Sequence, residues 1–258
     1  MFGATGITDA FFVAFKIPNF LRRLFAEGVF SQALMPVLAS AREEGGLKQV
    51  KAVSDRVTGS FLILLILITG VGILLSPILI TLFAPGFTGS EDKLRIATEL
   101  LRITFPYLIF IALTALSGSL LNLYEDFAIP AATPMLLNLA MIFGSLVLAP
   151  QLEEPIMALA FGVLIGGGLQ LGLQIPALWR RGLLPRPRVA FSHPDVRRVF
   201  RLMSPALLGA SVTQINLLIN TLLASLLATG SISWLYYSDR LLEFPLGLLG
   251  VALGTVVL

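Results

Sequence analysis

An all-α, polytopic membrane protein is the fold class that the sequence predicts, and three observations carry that expectation. The 258 residues are 56% hydrophobic and 13% charged, with a mean hydropathy of +0.90, where soluble domains carry about a quarter charged residues. Five stretches, Val57–Ser90, Ile103–Tyr124, Phe127–Leu152, Pro155–Trp179 and Leu202–Ser238, contain no Asp, Glu, Lys or Arg. Each reaches the ~20 apolar residues that cross the hydrocarbon layer at ~1.5 Å per residue. An ordinary cytosolic enzyme is excluded.

Seven spans follow in order: 7–40, 57–83, 96–122, 131–149, 155–179, 200–228 and 232–258. The first is apolar but studded with charge. The second ends at Ala84-Pro85-Gly86-Phe87, the fourth opens after Ile129-Pro130, and Thr229-Gly230-Ser231 separates the last two, all of them turn chemistry. Alternating connections sort the basic residues. Loops 41–56, 123–130 and 180–201 hold four, zero and seven Lys or Arg, whereas 84–95, 150–154 and 229–231 hold two, zero and zero. The positive-inside rule places the richer set in the cytoplasm, so Met1 starts outside. Met1–Thr8 lacks the charged start of a signal peptide. Leu258 stops in an apolar run with no polar flank. A fragment is therefore expected, with at least one helix before Met1 and more after Leu258.

Composition narrows the chemistry further. Cysteine is absent, which removes disulfides, thiolate nucleophiles and Cys-based metal sites. The single histidine, His193, sits among arginines and reads as a solvated loop residue. Walker A, dinucleotide-binding, HExxH and GxSxG patterns are all missing from the sequence. A net charge of +3 would suggest nucleic acid in a soluble chain, but here the basic residues flank membrane segments, and no nucleic acid partner is expected. The arginine cluster of loop 180–201 fits a topology anchor or a contact with anionic membrane lipids. Gly162-x3-Gly166, Gly168-x3-Gly172 and Gly250-x3-Gly254 read as close helix packing.

The informative residues are charges inside the spans. Asp9, Lys16, Arg22, Arg23 and Glu27 lie in the first segment, and a mid-bilayer charge costs at least ~2.5 kcal/mol. They must face a partner helix or a wet cavity. At 100° per residue Asp9, Lys16, Arg23 and Glu27 share a stripe of about 40°, with Arg22 pointing elsewhere. Pro18 removes a helix hydrogen bond and is expected to shift the phase beyond it. The last segment repeats the theme: Trp234, Tyr236 and Tyr237 precede Asp239, Arg240 and Glu243, with Asp239 and Glu243 on one face. Each segment has an aromatic entry, a deep cation and a proline (Pro18, Pro245), which suggests two related bundles around a cavity. Arginine stays charged and presents a planar fork for phosphate or carboxylate. Arg22, Arg23 and Arg240 thus call for an anion, and long apolar walls suit one bearing a hydrocarbon tail. With no nucleotide site, transport would draw on an ion gradient, the membrane potential or the substrate gradient.

At these residues the chain closely resembles a known family. TDAFFVAFKIPNFLRRLFAEGVFSQALMPVLA, LFAPGF, LLRITFPYLIFIALTALSGSLLN and the run from SPALLGASV to LLGVALGT are similar to the MurJ/MviN lipid II flippases. These belong to the multidrug/oligosaccharidyl-lipid/polysaccharide (MOP) exporter superfamily. The resemblance implies helices two to eight of a fourteen-helix, two-lobe transporter. Residues 1–179 would be first-lobe helices, 180–199 a basic cytoplasmic linker, and 200–258 the start of the second lobe. It implies transfer of lipid II, an undecaprenyl-diphosphate-linked disaccharide-pentapeptide, from the cytoplasmic to the periplasmic leaflet by alternating access. The host membrane would be the bacterial cytoplasmic (inner) membrane, and the partners the cell-wall synthesis machinery and membrane lipids. Motif by motif, the family's second-helix acid falls on Asp9, its second-helix arginine on Arg22 and its eighth-helix arginine on Arg240. The resemblance therefore favours Arg22 where the helical wheel favours Arg23, and the motif is preferred because of Pro18. Arg23 and Glu27 complete the expected binding set. No cofactor is expected. Some members bind sodium through a seventh-helix acid, and Asn220 falls there, which leaves coupling to sodium or membrane potential open. Export of another undecaprenyl-linked glycan and a non-transporting membrane scaffold are the rival readings.

Overall fold

The computed structural model describes residues 2–25 and 29–257, the side chains of residues 24, 25, 212, 213, 244 and 246–257 excepted. Among the described residues the chain is helical, without strands. The helices are α1 (Gly6–Phe25), α2 (Val29–Leu74), α3 (Ser76–Phe83), α4 (Glu91–Thr104), α5 (Tyr107–Leu123), α6 (Ala128–Phe143), α7 (Met157–Arg180), α8 (Pro194–Ser225) and α9 (Ser231–Val257). Four stretches, Val29–Leu74, Glu91–Leu123, Ala128–Gln151 and Met157–Arg180, are long and apolar enough to cross a membrane. The two parts of α8, inclined by 41°, make a fifth when taken together. This is a multi-pass membrane protein. α1 misses that measure because four charges fall within its 20 residues.

Most expected breaks sit where the turn chemistry put them. A 3-10 turn covers Pro85–Gly89, and Gly230 turns the chain into α9 with φ of 97°, a value that glycine adopts without strain. The span expected at 96–122 is interrupted at Phe105-Pro106 between α4 and α5, because Pro106 has no N–H to donate. The expected loop 41–56 is a correction. It is helical apart from Gly46 at φ 60°, ψ −146°, since its Ala, Arg, Glu, Lys and Gln residues are good helix formers. The 46 residues of α2 would run about 69 Å if straight, well beyond a bilayer, and Gly46 is where they turn. His193 is a second correction. It is partly buried and caps α8, its Nδ1 accepting from the Asp195 N–H at 3.4 Å.

α1 packs on α4, α2 on α5 and α8, and α7 on α5 and α6. The α6–α7 contact is backbone-close. A Cβ built on Gly162 would stand 3.0 Å from the Ala140 oxygen, and one on Gly166 would stand 2.9 Å from Leu137 Cδ1. Gly168 and Gly172 meet nothing within 4 Å, so of these two glycine pairs the first is a packing seam and the second is not. Gly250 and Gly254 fall where side-chain surroundings lie outside the described residues.

The connections separate onto two faces. On one, Arg95 pairs with Glu154 at 2.6 Å and Lys93 Nζ bonds Thr229 Oγ1 at 2.8 Å. On the other, Arg42 donates to the Leu123 carbonyl at 2.7 Å, Lys51 to the Leu184 carbonyl at 2.8 Å, and Arg56 pairs with Asp195 at 3.4 Å. The segment between α7 and α8 is strapped to α2 there. Asp55 Oδ1 accepts the Arg186 N–H at 2.7 Å, and the Asp55 carbonyl accepts that of Arg188 at 2.8 Å. The arginines of this segment project outward, exposed.

Candidate functional site

The site forms where α1 and α9 run side by side in the same direction. In α1 the facing positions are 9, 12, 16, 19 and 23; in α9 they are 233, 236, 240 and 243. Both follow the alternating three- and four-residue steps that keep side chains on one helical face. Asp9 meets Ser233, and the rings of Phe12 and Tyr236 stack with centroids 4.0 Å apart. Further along the same faces, Arg23 Nη2 lies 4.0 Å from Glu243 Oε1.

At the top of this seam Asp9 is 3% exposed and fully engaged. Its Oδ2 accepts the Gly230 N–H at 2.6 Å. Its Oδ1 accepts both the Ser233 N–H at 2.8 Å and the Ser233 hydroxyl at 2.6 Å. The start of any helix has N–H groups without intrahelical partners and a partial positive charge, so a carboxylate from another helix is a fitting cap. Asp9 therefore ties α1 to the α8–α9 turn and does not line the cavity below. A Cβ at Gly230 would sit 3.0 Å from the Ala4 oxygen, so the turn also needs glycine for space.

Below the Phe12–Tyr236 stack lies a cavity of about 260 Å³ between α1, α8 and α9. Its charged and polar lining is Lys16, Asn19, Arg23, Gln214, Asp239, Arg240 and Glu243. Arg240 Nη1 bonds Glu243 Oε2 at 2.8 Å, and its Nε donates to Tyr236 Oη at 3.3 Å. The guanidinium also lies 5.3 Å from the Tyr236 ring centroid. Three cations and two carboxylates thus share one chamber, leaving a net positive lining. A neighbouring apolar cavity of about 430 Å³ shares the Phe20 and Leu218 walls.

Of the residues expected from sequence, Arg23 and Arg240 come together at the cavity and Asp9 stands above it. Arg22 is not in the lining; its Nε donates to Asn19 Oδ1 at 2.7 Å. α1 continues through Pro18, so the 100° phase survives and Arg23 is the one of the two arginines that lines the cavity. Glu27 lies outside the described residues. Asn19, Gln214 and Tyr236 were not anticipated as cavity residues. Gln214 carries a faint signal as an amide within a charge-free span; Tyr236 and Asn19 emerge only from the three-four spacing of each helix. Among the described residues no group of three or more His, Asp or Glu side chains could hold a metal.

A family model described as "Lipid II flippase MurJ" matches residues 1–258. The chain is 48% identical over 265 residues to a probable lipid II flippase MurJ of Haemophilus influenzae, covering 100% of this chain and 52% of the relative. It is 47% identical to the probable lipid II flippase MurJ of Vibrio cholerae, covering 100% and 50%. It is 44% identical to the lipid II flippase MurJ of Burkholderia cenocepacia, covering 100% and 51%. A solved structure, "Lipid II flippase MurJ, inward closed conformation", superposes with a TM-score of 0.81 at 30% identity, over 98% of this chain and 52% of that one. The chain spans about half the length of the curated relatives that it matches.

Proposed function

The chain belongs to the MurJ family of lipid II flippases, and on that premise we propose that it serves transport of lipid II, not catalysis, from the cytoplasmic to the periplasmic leaflet for peptidoglycan synthesis. One observation carries the reading. Two arginines from different helices, Arg23 and Arg240, converge on one chamber with Lys16 beside them. Planar guanidiniums from two directions suit a diphosphate, which offers acceptors on two faces. The adjoining apolar cavity suits the start of a polyprenyl tail. Alternating access would then be a change in how α1 and α9 meet.

The orientation follows from charge. The arginine-rich face, including residues 180–201, lies in the cytoplasm of the bacterial inner membrane, and the start of α1 lies at the periplasmic side. Asp9 then closes the periplasmic end of the seam, and outward opening requires its three hydrogen bonds to part. Arg22, through Asn19, supports the α1 surface beside the head-group site. Membrane lipids and the cell-wall synthesis machinery are the partners of such a transporter.

Lipid II translocation in proteoliposomes by the full-length protein tests this. Arg23→Ala and Arg240→Ala are each expected to cut the rate at least tenfold, in line with loss of a charged hydrogen bond. Normal translocation by both variants at equal expression would end the site assignment. Rescue of capsule or O-antigen export, without rescue of a lipid II flippase depletion strain, would redirect the substrate to another undecaprenyl-linked glycan.

A further inference from the structure

Glu243 is the residue of the cavity that the reading above leaves without a task. Its carboxylate lies between the two guanidiniums, Oε1 4.0 Å from Arg23 Nη2 and Oε2 2.8 Å from Arg240 Nη1. It is the one carboxylate among the described residues paired with both. A carboxylate and a phosphate ask for the same guanidinium edge, because each offers two oxygens to parallel N–H donors. We propose that Glu243 is an internal competitor of the lipid's phosphate, a tethered anion that yields Arg23 and Arg240 to the head group on binding and reclaims them on release. This rests on the anion-binding reading of the cavity and deepens it.

Three features of the site support the exchange. Arg240 does not depend on Glu243 for its position, since Tyr236 accepts from its Nε and offers its ring to the cation. Glu243 and Arg240 side chains are 53% and 52% exposed, so their ion pair is not walled in by packed side chains of this chain and is free to part. The other charged groups facing the same space, Lys16 and Asp239, sit on the opposite and the same helix respectively and leave the cavity one positive charge in excess. A transporter must bind its cargo and also let go. A carboxylate on a short tether lowers affinity while keeping the arginines matched to an anion.

Glu243→Gln removes the charge at constant shape. Binding of lipid II to the full-length protein, read by native mass spectrometry, should tighten about two- to fivefold in this variant, the range of a partly exposed ion pair. Binding of undecaprenol, which lacks phosphate, should not change. The gain should shrink when Arg240→Ala is added and vanish when Arg23→Ala joins it, because the competition is for those two guanidiniums. Translocation should slow as release becomes limiting. Unchanged or weaker lipid II binding by Glu243→Gln, with Arg23→Ala and Arg240→Ala still weakening it, would overturn the exchange and leave the cavity reading standing. If neither arginine variant alters lipid II binding, the cavity reading falls and the exchange falls with it. Should Glu243→Gln accumulate poorly, Glu243→Ser, which also removes the carboxylate, carries the same expectations.

Discussion

Two helix contacts in this molecule are built from opposite materials. α6 and α7 meet through Gly162 and Gly166, close enough that an added Cβ would strike Ala140 or Leu137. α1 and α9 meet through a capped carboxylate, a ring stack and a row of cavity-lining charges. The first contact holds a single inter-helix hydrogen bond among the described residues, from Gln170 Nε2 to the Thr133 carbonyl at 3.1 Å, and gains its energy mainly from close packing, which any separation forfeits. The second is a series of polar partners that water or a ligand can replace. A lobe held by the first kind moves as one body, and a seam of the second kind is where that body can part from its neighbour.

The largest expected effect breaks the glycine contact. Gly162→Leu places a side chain where even a Cβ would be 3.0 Å from the Ala140 oxygen and 3.2 Å from Met141 Cα. Helix α7 would have to shift, at a cost of roughly 3 kcal/mol or more. Thermal unfolding in detergent should show a drop of many degrees, and expression should fall. The same replacement at Gly168, which faces open space, should be nearly silent. Equal loss at both positions would dissolve the distinction between the two contacts.

Next in size is Asp9→Asn. The amide keeps its shape but offers one acceptor oxygen and no charge to three donors, so about 2–3 kcal/mol of the seam should go. The chain has no cysteine, so an introduced one is a clean reporter. Ile232, 3% exposed beside the Asp9 cap, becomes Ile232→Cys. Labelling by a membrane-impermeant maleimide should be slow alone and faster by tenfold or more with Asp9→Asn. Ser233→Ala removes only one of the three bonds and should accelerate labelling by about fivefold, on the order of 1 kcal/mol. Equal labelling in all three backgrounds would mean that Asp9 does not hold the seam.

These contacts differ also in how far the amino-acid sequence foretells them. The α1 stripe was readable because Asp9, Lys16 and Arg23 repeat at helical spacing, and α1 keeps that phase through Pro18. Asp239 and Glu243 on one face of α9 were readable for the same reason. The partner of Asp9 was not. It is backbone N–H more than 220 residues away, and every helix start offers such groups whatever its side chains. The connection at 41–56 misled because charge density signals exposure, while Arg, Glu, Lys and Ala also favour helix, and only Gly46 departs from it. Arg22 against Arg23 was a contest between a motif and a wheel. Helix geometry puts Arg23 in the cavity lining, since proline removes one donor but need not redirect the chain.

The smallest effect separates charge from burial. Arg181 and Asp126 pair at 3.2 Å, with side chains 41% and 21% exposed, on the face opposite the Asp9 cap. The pair has full charges on both sides, which the Asp9 cap lacks, yet water screens it and two long side chains must be ordered to form it. Arg181→Ala should therefore cost less than about 0.5 kcal/mol, and the difference from the parent should shrink further in high salt. Unfolding followed by tryptophan fluorescence would resolve a shift of this size only as a degree or two. A loss rivalling that of Asp9→Asn would mean that formal charge, and not exclusion of water from the capped helix start, sets the strength of polar contacts between these helices.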